Sequence, residues 1–265
     1  MTLGHSPALA SVVRLGLLLG CLVVAAPLMV AGQLPDSMPP GAAEADSIDS
    51  SAAYTGPLPR PAREALAYIL TSSPDTPNGM GLLAVGMAEA EIAAEHVALA
   101  GRDTTSLSNM QRHMSHVLHA VDPAEVGQGP GMGYGVRRAA RQILEQARLL
   151  EGLAATDPGS MGVESEDPGI ESEVPGVLRY HAPWVARAAR GTIARTQEVT
   201  ELARQVQRAS SARAAHRLVE RLANAVRAMA HGYDADGDGR IGHTEAEMGL
   251  AQVRHHLSIV ERLTR

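Results

Sequence analysis

The chain has 265 residues and a formal net charge of −6, and only 2% of its residues are aromatic, with no Phe. The negative charge argues against nucleic acid as a partner, since proteins that bind it present a basic face to the phosphates. A core with so few aromatic residues must be built of Leu, Val, Ala and Met, and this composition favours helices. A single Cys excludes an internal disulfide.

The first 32 residues have the pattern of a bacterial export signal. Arg14 precedes a long uncharged run, and small residues before Gln33 offer a cleavage site. The run is also long enough to span a membrane, so residues 12–31 would anchor the protein if the signal is not cleaved. The tetrapeptide that ends at Cys21 leaves lipidation as a third alternative. We therefore expect an exported protein, either periplasmic or secreted.

Composition divides the rest of the chain into four parts. Residues 33–60 are rich in Pro, Ser, Ala and Gly without any period, which is typical of a disordered tether. Residues 61–156 form a helical hairpin region that contains a histidine cluster. Residues 157–177 are an acidic linker, and residues 178–265 form a second helical region.

The apolar periodicity predicts helices throughout both regions and strands in neither. Seven helices are expected, over residues 60–70, 80–100, 106–121, 136–153, 178–207, 212–232 and 244–263. The predicted fold class is therefore all-α. It is a bundle of helical hairpins with a helix-loop-helix unit at its C-terminal end.

Histidines are concentrated in the hairpin of the second and third predicted helices. The short connection makes these two helices antiparallel neighbours, which places His96 opposite the first half of the next helix. The candidate ligands of a transition metal such as Cu, Ni or Zn are His96, His113, His116 and Glu89. In the alternative interpretation the three histidines of the third predicted helix, His113, His116 and His119, lie on the surface, and His96 is buried with Glu89 as its partner. A weak resemblance of residues 80–123 to exported His-rich bacterial metal-binding helical proteins is compositional only.

A run of acids and glycines follows the sixth predicted helix. Three Asp residues alternate with other residues, a Gly follows and a Glu closes the run: Asp234, Asp236, Asp238, Gly239 and Glu245. The run fits the calcium-loop pattern D-x-[DN]-x-[DN]-G-x5-E at every constrained position. Calcium takes six to eight oxygen ligands, and carboxylates at alternate positions face one concavity as the chain curls.

Between about residues 210 and 263 the sequence resembles the EF-hand family. The resemblance implies that Asp234, Asp236 and Asp238 bind calcium through their carboxylates. It implies the same for Glu245, and a backbone carbonyl ligand from Arg240. Family members usually pair two loops through the position of Ile241, but no second loop is visible here. That leaves two partners for Ile241, either residues 127–135 of the same chain or a second copy of the protein.

The remaining histidines have no spacing that predicts a shared ligand, and each is expected to face solvent or to stand alone in the core. They are His181, His216, His231, His243, His255 and His256. The sequence also lacks a nucleophile elbow, an HExxH motif and the paired Glu-x-x-His of di-iron bundles. We therefore do not expect an enzyme.

Two functions compete on these patterns. The first is a calcium-binding exported helical protein with a structural or binding-module role in the cell envelope. The alternative is a periplasmic transition-metal buffer or sensor that uses the histidine-rich hairpin. No pattern identifies a protein partner or an oligomeric state.

Overall fold

The structure, a computed structural model, describes residues 58–155 and 176–264, and both ranges lie in a unit that spans residues 49–265. These residues form helices and no strand, so the predicted all-α class is confirmed for them. The helices are α1 (Arg60–Leu70), a 3₁₀ turn (Pro77–Gly79), α2 (Leu82–Arg102), α3 (Leu107–Val121), α4 (Val136–Ala155), α5 (Gly176–Arg208), α6 (Ala212–His231) and α7 (Leu250–Leu263). The predicted signal, nearly all of the tether and most of the acidic linker lie outside the described residues.

The helices pack around α2 and α5. With 33 residues, α5 is the longest helix, about 50 Å at 1.5 Å per residue, and it contacts α3, α4, α6 and α7. Helix α2 contacts α1, α3, α4, α6 and α7. Leu, Ile and Met supply the largest fully buried side chains: Ile69, Leu82, Met110, Met114, Ile143, Leu150, Leu178, Leu222, Met229, Met248, Leu250 and Leu257. The core thus follows the composition, with no Phe in it.

The last helix begins later than its periodicity predicts. Helix α7 starts at Leu250 rather than at residue 244, because Gly249 before it is extended, with φ −133° and ψ −164°. Residues 245–248 instead pass close to α5 at Gly191, where an added Cβ would lie 2.8 Å from the carbonyl oxygen of Met248. Glycine on α5 therefore permits an approach that holds this segment out of the helix.

Candidate metal centres

A capped turn closes the hairpin of α2 and α3. Oδ1 of Asp103 accepts a hydrogen bond from the backbone N–H of Thr105 at 3.0 Å. The hydroxyl of Ser106, the N-cap of α3, accepts one from the backbone N–H of Asn109 at 3.2 Å. The turn is short, so α2 and α3 are antiparallel neighbours, as predicted.

Three histidines meet across this hairpin. His96, His113 and His116, the hairpin histidines, are all half-buried. The Nδ1 atom of His96 lies 3.1 Å from Nδ1 of His113 and 3.2 Å from Nδ1 of His116. One ring nitrogen from each of the three lies within 4.8 Å of the others. A tetrahedral metal with metal–nitrogen bonds of about 2.0–2.1 Å holds its ligand nitrogens about 3.3 Å apart. Both separations at His96 therefore suit one shared ion.

His96 and His113 are also biased toward the neutral form, which is the form that binds metal. Burial lowers the pKa of His96, and the charges of His116 and His113 lower it further. Burial likewise lowers the pKa of His113, with a smaller contribution from His116. A neutral imidazole has the lone pair that a metal needs, whereas imidazolium has none. Near neutral pH these rings can act as ligands.

Glu89, which lies on α2 as His96 does, does not join the hairpin histidines. Its side chain is fully buried. Its Oε1 accepts hydrogen bonds from the backbone N–H groups of Met132, Tyr134 and Gly135 at 3.2, 3.0 and 3.2 Å. Glu89 therefore holds the Gly-rich loop of residues 127–135, and nothing in this geometry supports its prediction as a third metal ligand.

The same loop is also held from α3. Nδ1 of the buried His119 lies 2.7 Å from the carbonyl oxygen of Val126, the residue before the loop, and His119 is not among the three histidines whose nitrogens converge. Ile241 is 40% exposed. The prediction that the Gly-rich loop covers Ile241 therefore finds no support in the fold.

Residues 232–249 connect α6 to α7 and form the acidic loop, which curls around Asp234. Oδ1 of Asp234 accepts hydrogen bonds from the backbone N–H groups of Gly237 at 2.6 Å and Asp238 at 3.2 Å. Its Oδ2 accepts one from Gly239 at 2.8 Å. The hydrogen bond from Gly239 is the main cause that lowers the pKa of Asp234. The carboxylate at the first position is thus kept ionised and directed into the loop.

Three carboxylates converge in this loop. Asp234, Asp236 and Glu247 each place one oxygen within 4.8 Å of the others. Glu247 is only 3% exposed, and its Oε1 accepts a hydrogen bond from the backbone N–H of Ala235 at 3.2 Å. Two calcium ligands at 2.3–2.6 Å can be at most about 5 Å apart. The donor set therefore fits calcium in both chemistry and spacing, and these three residues could hold the ion.

Two of the other predicted ligands have different partners. Oε1 of Glu245 accepts a hydrogen bond from Nε of Arg190 on α5 at 2.5 Å. Oδ1 of Asp238 accepts one from the backbone N–H of Arg240 at 2.8 Å. The calcium roles of Glu245, Asp238 and the Arg240 carbonyl stay predictions. Glu247 was missed because it lies beyond the end of the pattern, where the periodicity predicts helix.

A second group of histidines, which no spacing predicts, lies between α5 and α7. His181 and His256 are buried, and their Nδ1 atoms are 3.0 Å apart. His243 of the acidic loop contacts His256, with ring centres 5.4 Å apart. The expectation that these histidines stand alone is therefore wrong. Burial, and then the charges of the neighbouring histidines, lower the pKa of His256 to about 3.

No protein-family model, curated protein or solved structure matches this chain significantly. Within residues 58–155 and 176–264, none of the helices combines the length and the apolar character that crossing a membrane requires. The predicted signal or anchor at residues 1–32 is not among the described residues.

Proposed function

We propose that this protein binds calcium in the loop between α6 and α7, and that it has a structural or binding-module role in the cell envelope. One observation carries the proposal. The carboxylates of Asp234, Asp236 and Glu247 converge within a sequence that fits a calcium loop at every constrained position. The pattern is specific, and the group includes Glu247, a carboxylate that is only 3% exposed.

A bound ion would stabilise the loop that connects α7 to α6. Three carboxylates this close repel one another, and a divalent cation removes that repulsion. Glu247 also accepts, at its carbonyl oxygen, the backbone hydrogen bond of Tyr233 at 2.9 Å, so the two ends of the loop are joined beside the site. We therefore expect calcium to stabilise the loop and the start of α7. In calcium-rich surroundings outside the cell, an affinity of about 10⁻⁴–10⁻³ M would suffice.

Calorimetric titration of the chelator-treated protein with calcium tests the proposal. We expect one calcium per chain and at least about tenfold weaker binding in Glu247→Gln, because one charged ligand is lost. Glu220→Gln, which removes an exposed acid from α6, is the matched control and should bind as wild type does. Equal affinities of Glu245→Gln and wild type would remove Glu245 from the ligand set. A wild-type protein that takes up no calcium would overturn the proposal.

A second candidate function is a transition-metal buffer or sensor, and the hairpin histidines favour it. Their Nδ1 separations of 3.1 and 3.2 Å match those of imidazoles on one ion. Imidazole is a good ligand for Cu, Ni and Zn and a poor one for calcium, which prefers oxygen. The two candidate functions therefore use different ions at different places, and they are compatible in one protein.

The double variant His96→Ala plus His113→Ala tests this second function. It should lose the tightest site for copper, nickel or zinc in equilibrium dialysis with calcium present. The variant His216→Ala plus His231→Ala removes two histidines from α6 and should leave that site intact. Unchanged binding in the hairpin variant would show that the hairpin histidines hold no metal.

A further inference from the structure

Two buried histidines face each other deep in the bundle. His181 on α5 and His256 on α7 are each 3% exposed, and their Nδ1 atoms lie 3.0 Å apart. Burying imidazole nitrogens in an apolar core is unfavourable unless they have partners. At 3.0 Å the two nitrogens share one hydrogen bond when one Nδ1 is protonated and the other is not. When neither Nδ1 carries a proton, the two lone pairs face each other, and a metal ion bound by both nitrogens removes their repulsion.

A third imidazole lies beside this pair. His243 is exposed and belongs to the acidic loop. The ring nitrogens of His243, His181 and His256 do not all lie within 4.8 Å of one another, so a turn of the exposed His243 side chain would complete the set. The ring centre of His243 is 5.4 Å from that of His256, and the ring centres of His181 and His256 are 5.3 Å apart. Two imidazoles on one tetrahedral ion, with metal–nitrogen bonds of about 2.0–2.1 Å, have ring centres about 5 Å apart. Both separations are close to that value.

Aromatic rings cover the group from one side. Trp184 lies 4.6 Å from the His243 ring and 6.2 Å from the His256 ring, and it stacks on the latter with an interplanar angle of 22°. Tyr180 packs edge-on against His181 at 5.0 Å. These ring contacts help to hold the imidazoles in position, as supporting groups around metal ligands do.

We infer that α5, α7 and the acidic loop form a second transition-metal site, in which His181, His256 and His243 bind one ion through imidazole nitrogens. Three imidazoles are typical of sites for copper, nickel or zinc. The low pKa of His256 agrees with this assignment, because the ring is neutral over the whole range in which proteins are usually handled. The site is separate from the hairpin histidines and contains no calcium ligand.

Trp184 makes the site observable, because it is the only Trp in the chain and its ring contacts two of the three ligands. The protein for the test is the full chain with His96→Ala, His113→Ala and His116→Ala, which removes the hairpin histidines. Calcium is kept in excess so that the carboxylates of the acidic loop do not take the probe. Copper(II), which quenches nearby Trp emission, is the probe.

We expect saturable quenching of Trp184 by one equivalent of copper in this protein. Adding His243→Ala should weaken the copper affinity by at least about tenfold. Loss of a group that only supports a metal ligand already costs about 10–100-fold in affinity. Adding His256→Asn should abolish saturable quenching. Adding His231→Ala, which removes a histidine at the end of α6, should change nothing. Circular dichroism checks that each protein is folded.

Two results would overturn the inference. One is the absence of saturable quenching in the protein that lacks only the hairpin histidines. The other is quenching that His243→Ala leaves undiminished. His243 is exposed, so its substitution does not put folding at risk, and the test holds even if His256→Asn fails to fold.

Discussion

The two histidine groups differ in how far apart their members lie in the sequence. The hairpin histidines come from neighbouring helices, 17 and 20 residues from His96, and they are half-buried. His181 and His256 are 75 residues apart and almost fully buried. A short turn is enough to bring the first group together, whereas the second exists only if α7 docks on α5. We therefore expect the first group to depend on local structure and the second on the whole bundle.

The largest difference between the two histidine groups should follow from a substitution in the buried face of α7. Leu257 is fully buried, and Leu257→Ala should lower the free energy of unfolding by about 2–5 kcal/mol, since it removes apolar contacts and leaves a cavity. Urea unfolding measures the loss. Leu263→Ala on the same helix is the control, because Leu263 is 54% exposed and its truncation should cost little. Copper binding by the hairpin histidines should survive Leu257→Ala, and its loss would show that this group too depends on the bundle.

Glu89→Gln should separate stability from metal binding at the hairpin. The substitution replaces a buried carboxylate that accepts three backbone hydrogen bonds, and it should cost about 1–3 kcal/mol of unfolding free energy. The affinity of the hairpin histidines for zinc should stay within about twofold, because Glu89 is not among them. Glu91→Gln, an exposed neighbour on α2, should change neither quantity. A large fall in zinc affinity in Glu89→Gln would restore Glu89 as a ligand.

Acid should destabilise the metal-free protein through His256. Its pKa is about 3 in the fold and 6.5 in the free side chain, so between these values the unfolded chain binds a proton that the folded chain does not. The contribution of His256 to the free energy of unfolding is therefore fully present above pH 6.5 and is lost as the pH falls toward 3. The slope from this group is at most about 1.4 kcal/mol per pH unit.

Urea unfolding at several pH values, with chelator present, measures this slope. The groups that face His256 are His181 on α5, His243 in the acidic loop and His255 on α7 itself. His256→Leu should flatten the dependence between pH 6.5 and 4, whereas His231→Leu should leave it as in wild type. Equal slopes in wild type and His256→Leu would show that His256 is not the group that titrates.

The smallest effect should come from the turn that closes the hairpin. Ser106→Ala removes the N-cap hydrogen bond to Asn109 and should cost about 1 kcal/mol. It should loosen the start of α3 in hydrogen exchange while leaving the contact of α5 with α7 unchanged. Thr104→Ala, at an exposed position of the same turn, is the control. Faster exchange in α7 of Ser106→Ala would contradict a purely local role for the turn.

Periodicity was enough to predict the helices because an amphipathic helix repeats its apolar residues every three to four positions. The ends of α3 and α6 were predicted within one residue of those observed, and a serine caps the start of each helix. The start of α7 was not predicted, because it depends on tertiary contacts: the extended Gly249 packs against the end of α6, and residues 245–248 approach Gly191 on α5. The partners of Glu89 were missed for a similar reason, since they are backbone N–H groups of a loop more than 40 residues away.

The sequence by itself determined the all-α class, the apolar composition of the core, the hairpin that carries His96 opposite His113, and the acidic calcium pattern. Each of these follows from residues less than about 20 positions apart, whose relative placement a helix or a short turn dictates. Only the tertiary structure decided that the carboxylate of Glu247 joins those of Asp234 and Asp236, while the carboxylate of Glu245 pairs with Arg190. The tertiary structure alone also placed His181 beside His256. The packing of helices that are distant in the sequence depends on the whole core, and no periodic pattern in the sequence predicts it.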